Sequence, residues 1–116
     1  MSDNIRIGQI AHARSGDKGG HANVGVIAYN QSGYEYLCLV VTEQAVAEFF
    51  AGLKPTRVQR FELPGIYAVN FLLHDALAGG ASQTLRTDSQ GKTLGLAVLE
   101  MQISRPENLA AMKKES

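Results

Sequence analysis

A glycine-rich hexapeptide set between two apolar segments most limits how this chain folds. Ser15-Gly16-Asp17-Lys18-Gly19-Gly20 brings together three glycines and an aspartate, residues that reverse a backbone without steric penalty. Ahead of it, Ile5 to Arg14 alternates Ile5, Ile7, Gln9 and Ala11 against Arg6, Gly8, Ile10 and His12, which reads as a strand. After it, Ala22 to Tyr29 carries Val24, Val26 and Ile27 and reads as a second strand paired with the first. A strand–turn–strand start of this kind points to an antiparallel sheet.

The rest of the chain fills in one layer of helices over that sheet. Asn30-Gln31-Ser32-Gly33 is a break, and Tyr34 to Val41 fits a buried strand or a first helix by period, with helix preferred. Thr42 is a candidate N-cap, Glu43 suits the positive end of a helix, and Ala45, Val46, Phe49, Phe50 and Leu53 follow helical spacing. Arg57 to Leu63 reads as a strand and Pro64-Gly65 as a turn. Tyr67 to Leu77 reads as a second helix packing Phe71, Leu72 and Leu77, with Gly79-Gly80 at its end. Ser82 to Thr87 is expected as a strand, Asp88 to Gly91 as a turn, and Thr93 to Ser104 as the last strand. Beyond Pro106 a short polar tail is expected to fray. The order ββ(α)αβαββ is an α+β sandwich, an antiparallel-rich sheet with helices on one face.

Length and charge bound the function. At 116 residues the chain makes one domain, expected to span 1–116 with a core over about 5–104. Its 11 basic and 11 acidic side chains cancel, so no bulk field draws in nucleic acid or an anionic membrane. No apolar run approaches the ~20 residues needed to cross a bilayer. The first residues lack the apolar stretch of a secretory signal, and the single cysteine, Cys38, has no internal disulfide partner. A cytoplasmic protein is the expectation. Cys38 lies among Leu37, Leu39 and Val40 and reads as a core thiol.

Candidate chemistry concentrates in the first turn. Arg14, Ser15, Gly16, Asp17, Lys18 and Gly19 place a guanidinium, a hydroxyl, a carboxylate and an ammonium among glycines, a composition able to cradle an anion. A plain hairpin turn with an internal Asp–Lys or Asp–Arg pair is the commoner use of such a loop. Asn23 follows it, and Asn70 is either a helix cap or an amide that orients a ligand. Other motifs fail. Gly91-Lys92-Thr93 ends like a phosphate loop, but Arg86 stands where its first glycine belongs. Ser15, His21 and Asp17 are too close in sequence for a catalytic triad. His12 and His21 flank the first turn and are candidates to meet across it; with His74 and Asp75 they lack metal-ligand spacing. No cofactor and no metal is expected, and no catalytic residue is assigned.

The segment Ala13-Arg14-Ser15-Gly16-Asp17-Lys18-Gly19 followed by Ala22-Asn23-Val24-Gly25-Val26-Ile27-Ala28 resembles the signature of the C-terminal domain of the acyclic terpene utilisation protein AtuA and its relatives. Later pieces agree in order: Thr42-Glu43, Arg60 to Gly65, Asn70-Phe71, Gly79-Gly80, Leu85-Arg86 with Asp88, and Gly91-Lys92. The resemblance implies a ferredoxin-like α+β fold and a link to catabolism of acyclic terpenoids or related branched acyl-CoA compounds. In the family this domain follows a larger N-terminal region, whereas here it is expected to stand alone; His21 also departs from the expected small polar or acidic residue. The implied role is an accessory or ligand-binding domain that holds a small anionic ligand, a CoA ester or carboxylate, and works with a separately encoded AtuA-like large subunit. Two alternatives stand beside it: a small enzyme using Asp17 and Lys18 as acid and base, and a non-catalytic oligomerisation module. A homo-oligomer is expected in any case, built on the apolar stretch Leu94 to Ile103 as an edge strand.

Overall fold

The computed structural model describes residues 4–76 and 94–113, with the side chains of Asp17 and Lys18 left aside. The strand expected over Ser82 to Thr87, the turn at Asp88 to Gly91 and the Gly79-Gly80 stop lie outside the described residues. The described residues form six strands and four α-helices. They are β1 (Asn4–Arg6), β2 (Ala11–Lys18), β3 (His21–Ala28), α1 (Gln31–Val40), α2 (Glu43–Phe49), β4 (Arg57–Leu63), β5 (Ala68–His74), α3 (residues 94–98), β6 (Gln102–Ser104) and α4 (Leu109–Met112). The main sheet has the order β2-β3-β5-β4 and is antiparallel throughout; β1 and β6 form a second antiparallel pair. The α+β expectation therefore holds. No described helix is long and apolar enough to cross a membrane.

The hairpin forms as expected but with a tighter turn. Pairing continues to Lys18 opposite His21, so only Gly19 and Gly20 make the bend. Their φ values of 62° and 99° define a turn that side-chain-bearing residues rarely enter. Ser15 to Lys18 thus belong to β2 and not to a loop. Ile5 to Arg14 is not one strand either. A 3-10 turn at Ile7–Gln9 interrupts it, because Ile7 and Ile10, three residues apart, both turn fully into the core. The N–H groups of Ile7 and Gly8 donate to Met101 O and Leu99 O, which ties this turn to the end of the chain.

Alternation sorts the sheet into two faces. Ala22, Val24, Val26 and Ala28 of β3 and Val69, Phe71 and Leu73 of β5 are buried on the side that carries the helices. Each of the Val, Phe and Leu side chains among them stabilises the fold by roughly 1.5–3 kcal/mol on leaving water. Leu37 of α1, Val46 of α2 and Val98 of α3 cover them. The first two helices follow the expectation: Asn30 Oδ1 accepts from Gly33 N–H at 2.9 Å, and Thr42 Oγ1 accepts from Ala45 N–H at 3.0 Å.

Three expectations are corrected. Residues 68–74, expected as a helix, form the central strand β5. The run Phe71-Leu72-Leu73 has no period of its own, and the chain is stopped on both sides by left-handed residues, Tyr67 (φ 58°) and Asp75 (φ 61°). Thr93 to Ser104, expected as a strand, opens with α3 and pairs only over β6. Leu94, Val98 and Met101 are buried at helical spacing while Leu96 is 70% exposed. The tail does not fray at once: α4 buries Leu109 and Met112, and Asn30 Nδ2 donates to Ala111 O at 2.8 Å.

Candidate functional site

The other face of the main sheet carries no described helix. Register places its residues in rows across β2, β3, β5 and β4. His12, Ile27, Ala68 and Leu63 form one row; Arg14, Gly25, Asn70 and Phe61 the next; Gly16, Asn23, Leu72 and Gln59 the third; Lys18, His21, His74 and Arg57 the last, with Lys18 placed by its backbone alone.

The rows bring together four of the residues singled out in the sequence. Arg14 is exposed, and among the described residues no ion pair or hydrogen bond engages its guanidinium. Beside it, Gly25 leaves the surface without a side chain, and a Cβ there would come 3.2 Å from Asn70 Oδ1. Asn70 Nδ2 donates to Asn23 Oδ1 at 2.6 Å, between neighbouring strands and half-buried. Asn70 is therefore neither a helix cap nor at a helix start; it stands in the middle of the sheet because residue 70 is on the open side of β5. Gly16 lies opposite Asn23 with open space above it.

Ser15 is not with them. Strand alternation turns it to the helix side, where its Oγ accepts from Gly95 N–H at 2.7 Å and anchors α3 to β2. Gly19 is in the turn, and Asp17 and Lys18 lie opposite Ala22 and His21. His12 and His21 do not meet across the hairpin. Their pairing partners are Ile27 and Lys18, at opposite ends; His12 instead stacks on Tyr29 with ring centroids 5.5 Å apart.

A second polar group lies on this face; the sequence suggests its His21, His74 and Asp75 for a metal and does not single out Gln59. His74 meets His21 edge to face at 5.2 Å, and its Nε2 lies 2.6 Å from Gln59 Oε1, so that nitrogen carries the proton. His21 Nδ1 accepts from Asp75 N–H at 2.9 Å, which puts its proton on Nε2 when the ring is neutral. Asp75 is held at the margin by Thr56 Oγ1, which donates to its Oδ2 at 2.6 Å.

The electrostatics of the face follow from this inventory. Two arginines, three histidines, two asparagines and a glutamine line it, and among the described side chains of its rows there is no carboxylate. Ile27, Phe61 and Leu63 make one margin apolar; Phe61 and Leu63 are 44% and 43% exposed. Among the described residues no three His, Cys, Asp or Glu side chains gather as metal ligands would.

A second polar cluster lies on the helix side. Arg60 Nη1 donates to Cys38 O at 2.8 Å and Val41 O at 3.1 Å, the carbonyls that α1 leaves unpaired, and Nη2 donates to Glu62 at 2.8 Å. Arg60 is thus a structural cap. Nearby, burial pushes the Tyr34 hydroxyl up to about 12, and its hydrogen bond with Cys38 adds to the shift.

A sheet layer under a helix layer, with its open face lined by cations and amides, defines an α+β domain of ferredoxin-like type. The chain belongs to the AtuA ferredoxin-like domain family, whose model matches residues 5–104. No curated protein and no solved structure matches it.

Proposed function

We propose that the open sheet face holds a small anionic ligand, a carboxylate or CoA ester, and that the domain is an accessory ligand-binding domain in the catabolism of acyclic terpenoids or related acyl-CoA compounds. The observation that carries this reading is the charge of the face. A chain with equal numbers of acids and bases presents here, among the described polar side chains of the rows, only cations and neutral groups. Arg14, which no other described residue engages, stands beside a side-chain-free Gly25 and offers a guanidinium for two-point contact with a carboxylate or phosphate. Asn23 and Asn70 add amide donors, and the margin of Ile27, Phe61 and Leu63 suits an attached apolar chain. The catabolic setting and a separately encoded AtuA-like large subunit as partner are carried over from the resemblance to AtuA, and they are part of the proposal.

Thermal unfolding with a panel of CoA esters and terpenoid carboxylates tests the reading. A ligand present at about 100 times its dissociation constant stabilises the native state by about 2.7 kcal/mol. The shift should disappear in Arg14→Ala. No shift with any member of the panel, or a shift that survives both Arg14→Ala and Asn70→Ala, would reject the proposal. Co-purification with the large subunit tests the partnership separately.

A further inference from the structure

Strand β4 is an outer strand of the main sheet: β5 pairs with one side, and among the described residues no strand pairs with the other. Which backbone groups face outward is fixed by one contact. Arg60 N–H donates to Glu43 Oε2 at 2.8 Å, not to β5. Because hydrogen-bonding direction alternates along a strand, Val58 and Glu62 point the same way as Arg60. Arg57, Gln59, Phe61 and Leu63 point into the ladder with β5.

We infer that β4 is a dimer interface, pairing antiparallel with β4 of a second copy about a two-fold axis at Phe61. Only registers that set even-numbered residues opposite one another join the outward groups. Centring on Arg60 sets Arg60 opposite itself, and like charges directly opposite destabilise a pair. Centring on Gln59 uses the half of the strand where Val58 is tucked against the core, and it pairs no charges. Centring on Phe61 sets Arg60 against Glu62 of the second copy, Glu62 against its Arg60, and Phe61 against Phe61. It uses the exposed half of the strand, where Phe61 and Leu63 are 44% and 43% exposed. Beside that half runs an open groove of about 830 Å³ lined by Thr42, Glu43, Gln44, Phe61, Glu62 and Leu63, room for an added strand. Closed two-fold pairing also removes the hazard of an unpaired edge.

Glu43 is the brake in this arrangement. Its carboxylate occupies the Arg60 N–H that the second copy's Glu62 carbonyl must take. Glu43 sits exposed in the first turn of α2, free to swing aside. A merely sticky surface would not respond to its removal, whereas this interface tightens when it goes.

Sedimentation velocity over a dilution series of the full chain tests the inference. The parent should associate reversibly to a dimer, and Glu43→Ala should dimerise at lower concentration. Glu62→Pro removes one outward N–H from each copy without touching the β5 ladder, so two hydrogen bonds vanish per dimer and association should weaken by about thirtyfold. Thermal unfolding at a dilution where all variants are monomeric shows whether Glu62→Pro still folds. If it does not, Phe61→Lys, which sets two ammonium groups face to face on the axis, replaces it. A chain that stays monomeric at high micromolar concentration both as parent and as Glu43→Ala overturns the inference. So does a dimer whose dissociation constant is unchanged by Glu62→Pro or Phe61→Lys.

Discussion

Alanine at Gly95 sets two effects of opposite sign against each other. Gly95 lies within α3, and replacing a helical glycine by alanine ordinarily stabilises by about 1 kcal/mol. The structure argues the other way. A Cβ at residue 95 would stand 3.0 Å from Ser15 Oγ and 3.3 Å from both Arg14 C and Ser15 N. The last two are backbone atoms of β2, which the ladder with β3 holds in place. Ser15 Oγ can rotate away only by giving up its 2.7 Å hydrogen bond from Gly95 N–H, a loss of about 1 kcal/mol. Overpacking against fixed atoms adds roughly 1–3 kcal/mol. With the propensity gain subtracted, Gly95→Ala should destabilise by about 2 kcal/mol. Urea unfolding measures this, with Gly52→Ala as the control. There a Cβ meets nothing within 4 Å, and a gain of about 0.4–1 kcal/mol is expected. A Gly95→Ala chain as stable as its parent would show that α3 does not dock on β2 as described.

Two further outcomes follow from the site geometry. The folded-state pKa of Tyr34 is raised from 10.0 to about 12, so the folded chain keeps a proton that the unfolded chain has lost; stability is full below pH 10 and falls as pH climbs towards 12. Tyr34→Phe should flatten that alkaline loss and remove the phenolate absorbance that appears with a midpoint near 12, both read in one titration. For the 2.6 Å bond between Asn70 and Asn23, a double-mutant cycle with Asn23→Ala and Asn70→Ala should give a coupling of about 1 kcal/mol; additive effects would mean that the two amides do not act as a pair.

How far the sequence disclosed this fold depended on which signal each segment carried. Where a local chemical device set an element, it was readable: Thr42 as a cap for α2 and two glycines for the hairpin. Where only apolar spacing was present, it misled. Leu94, Leu96 and Val98 alternate as in a strand, while Leu94, Val98 and Met101 recur as on a helix. The choice was made by Gly95, which lets a helix approach β2 closely, and no local rule reveals that partner. Residues 68–74 failed for the matching reason. In β5 the half-buried face includes apolar Leu72, so the run Phe71-Leu72-Leu73 hides in the sequence the alternation that the strand's burial shows. The site shared this fate. Arg14, Gly16 and Asn23 were visible as neighbours in sequence, and the displacement of Ser15 to the opposite side follows from period two once Ser15 to Lys18 are placed in a strand. His74, Gln59 and Arg57 joined the face only through the pairing of β5 with β3 and β4, which is non-local.

Net charge was the least informative number for function, and the reason is a length scale. The molecule is 24 Å across its thinnest axis, about three Debye lengths at physiological salt, where one such length is about 8 Å. A carboxylate on the helix side, such as Glu35 or Glu43, therefore does little to offset the field just outside the opposite face. On the proposed reading, a ligand resting on the open face responds to Arg14 and Arg57 and to the polar groups beside them, and its binding is set by that local sum. The zero total still governs events at longer range. It removes the steering that draws a polyanion from a distance, because at that range acids and bases act together. A small anion that arrives by ordinary diffusion needs no steering, only cations without competing carboxylates where it lands. On the proposed reading, a neutral chain whose described sheet rows hold no carboxylate on this face favours small anionic ligands over extended polyanions, because its described charges are segregated between the two sides of one sheet.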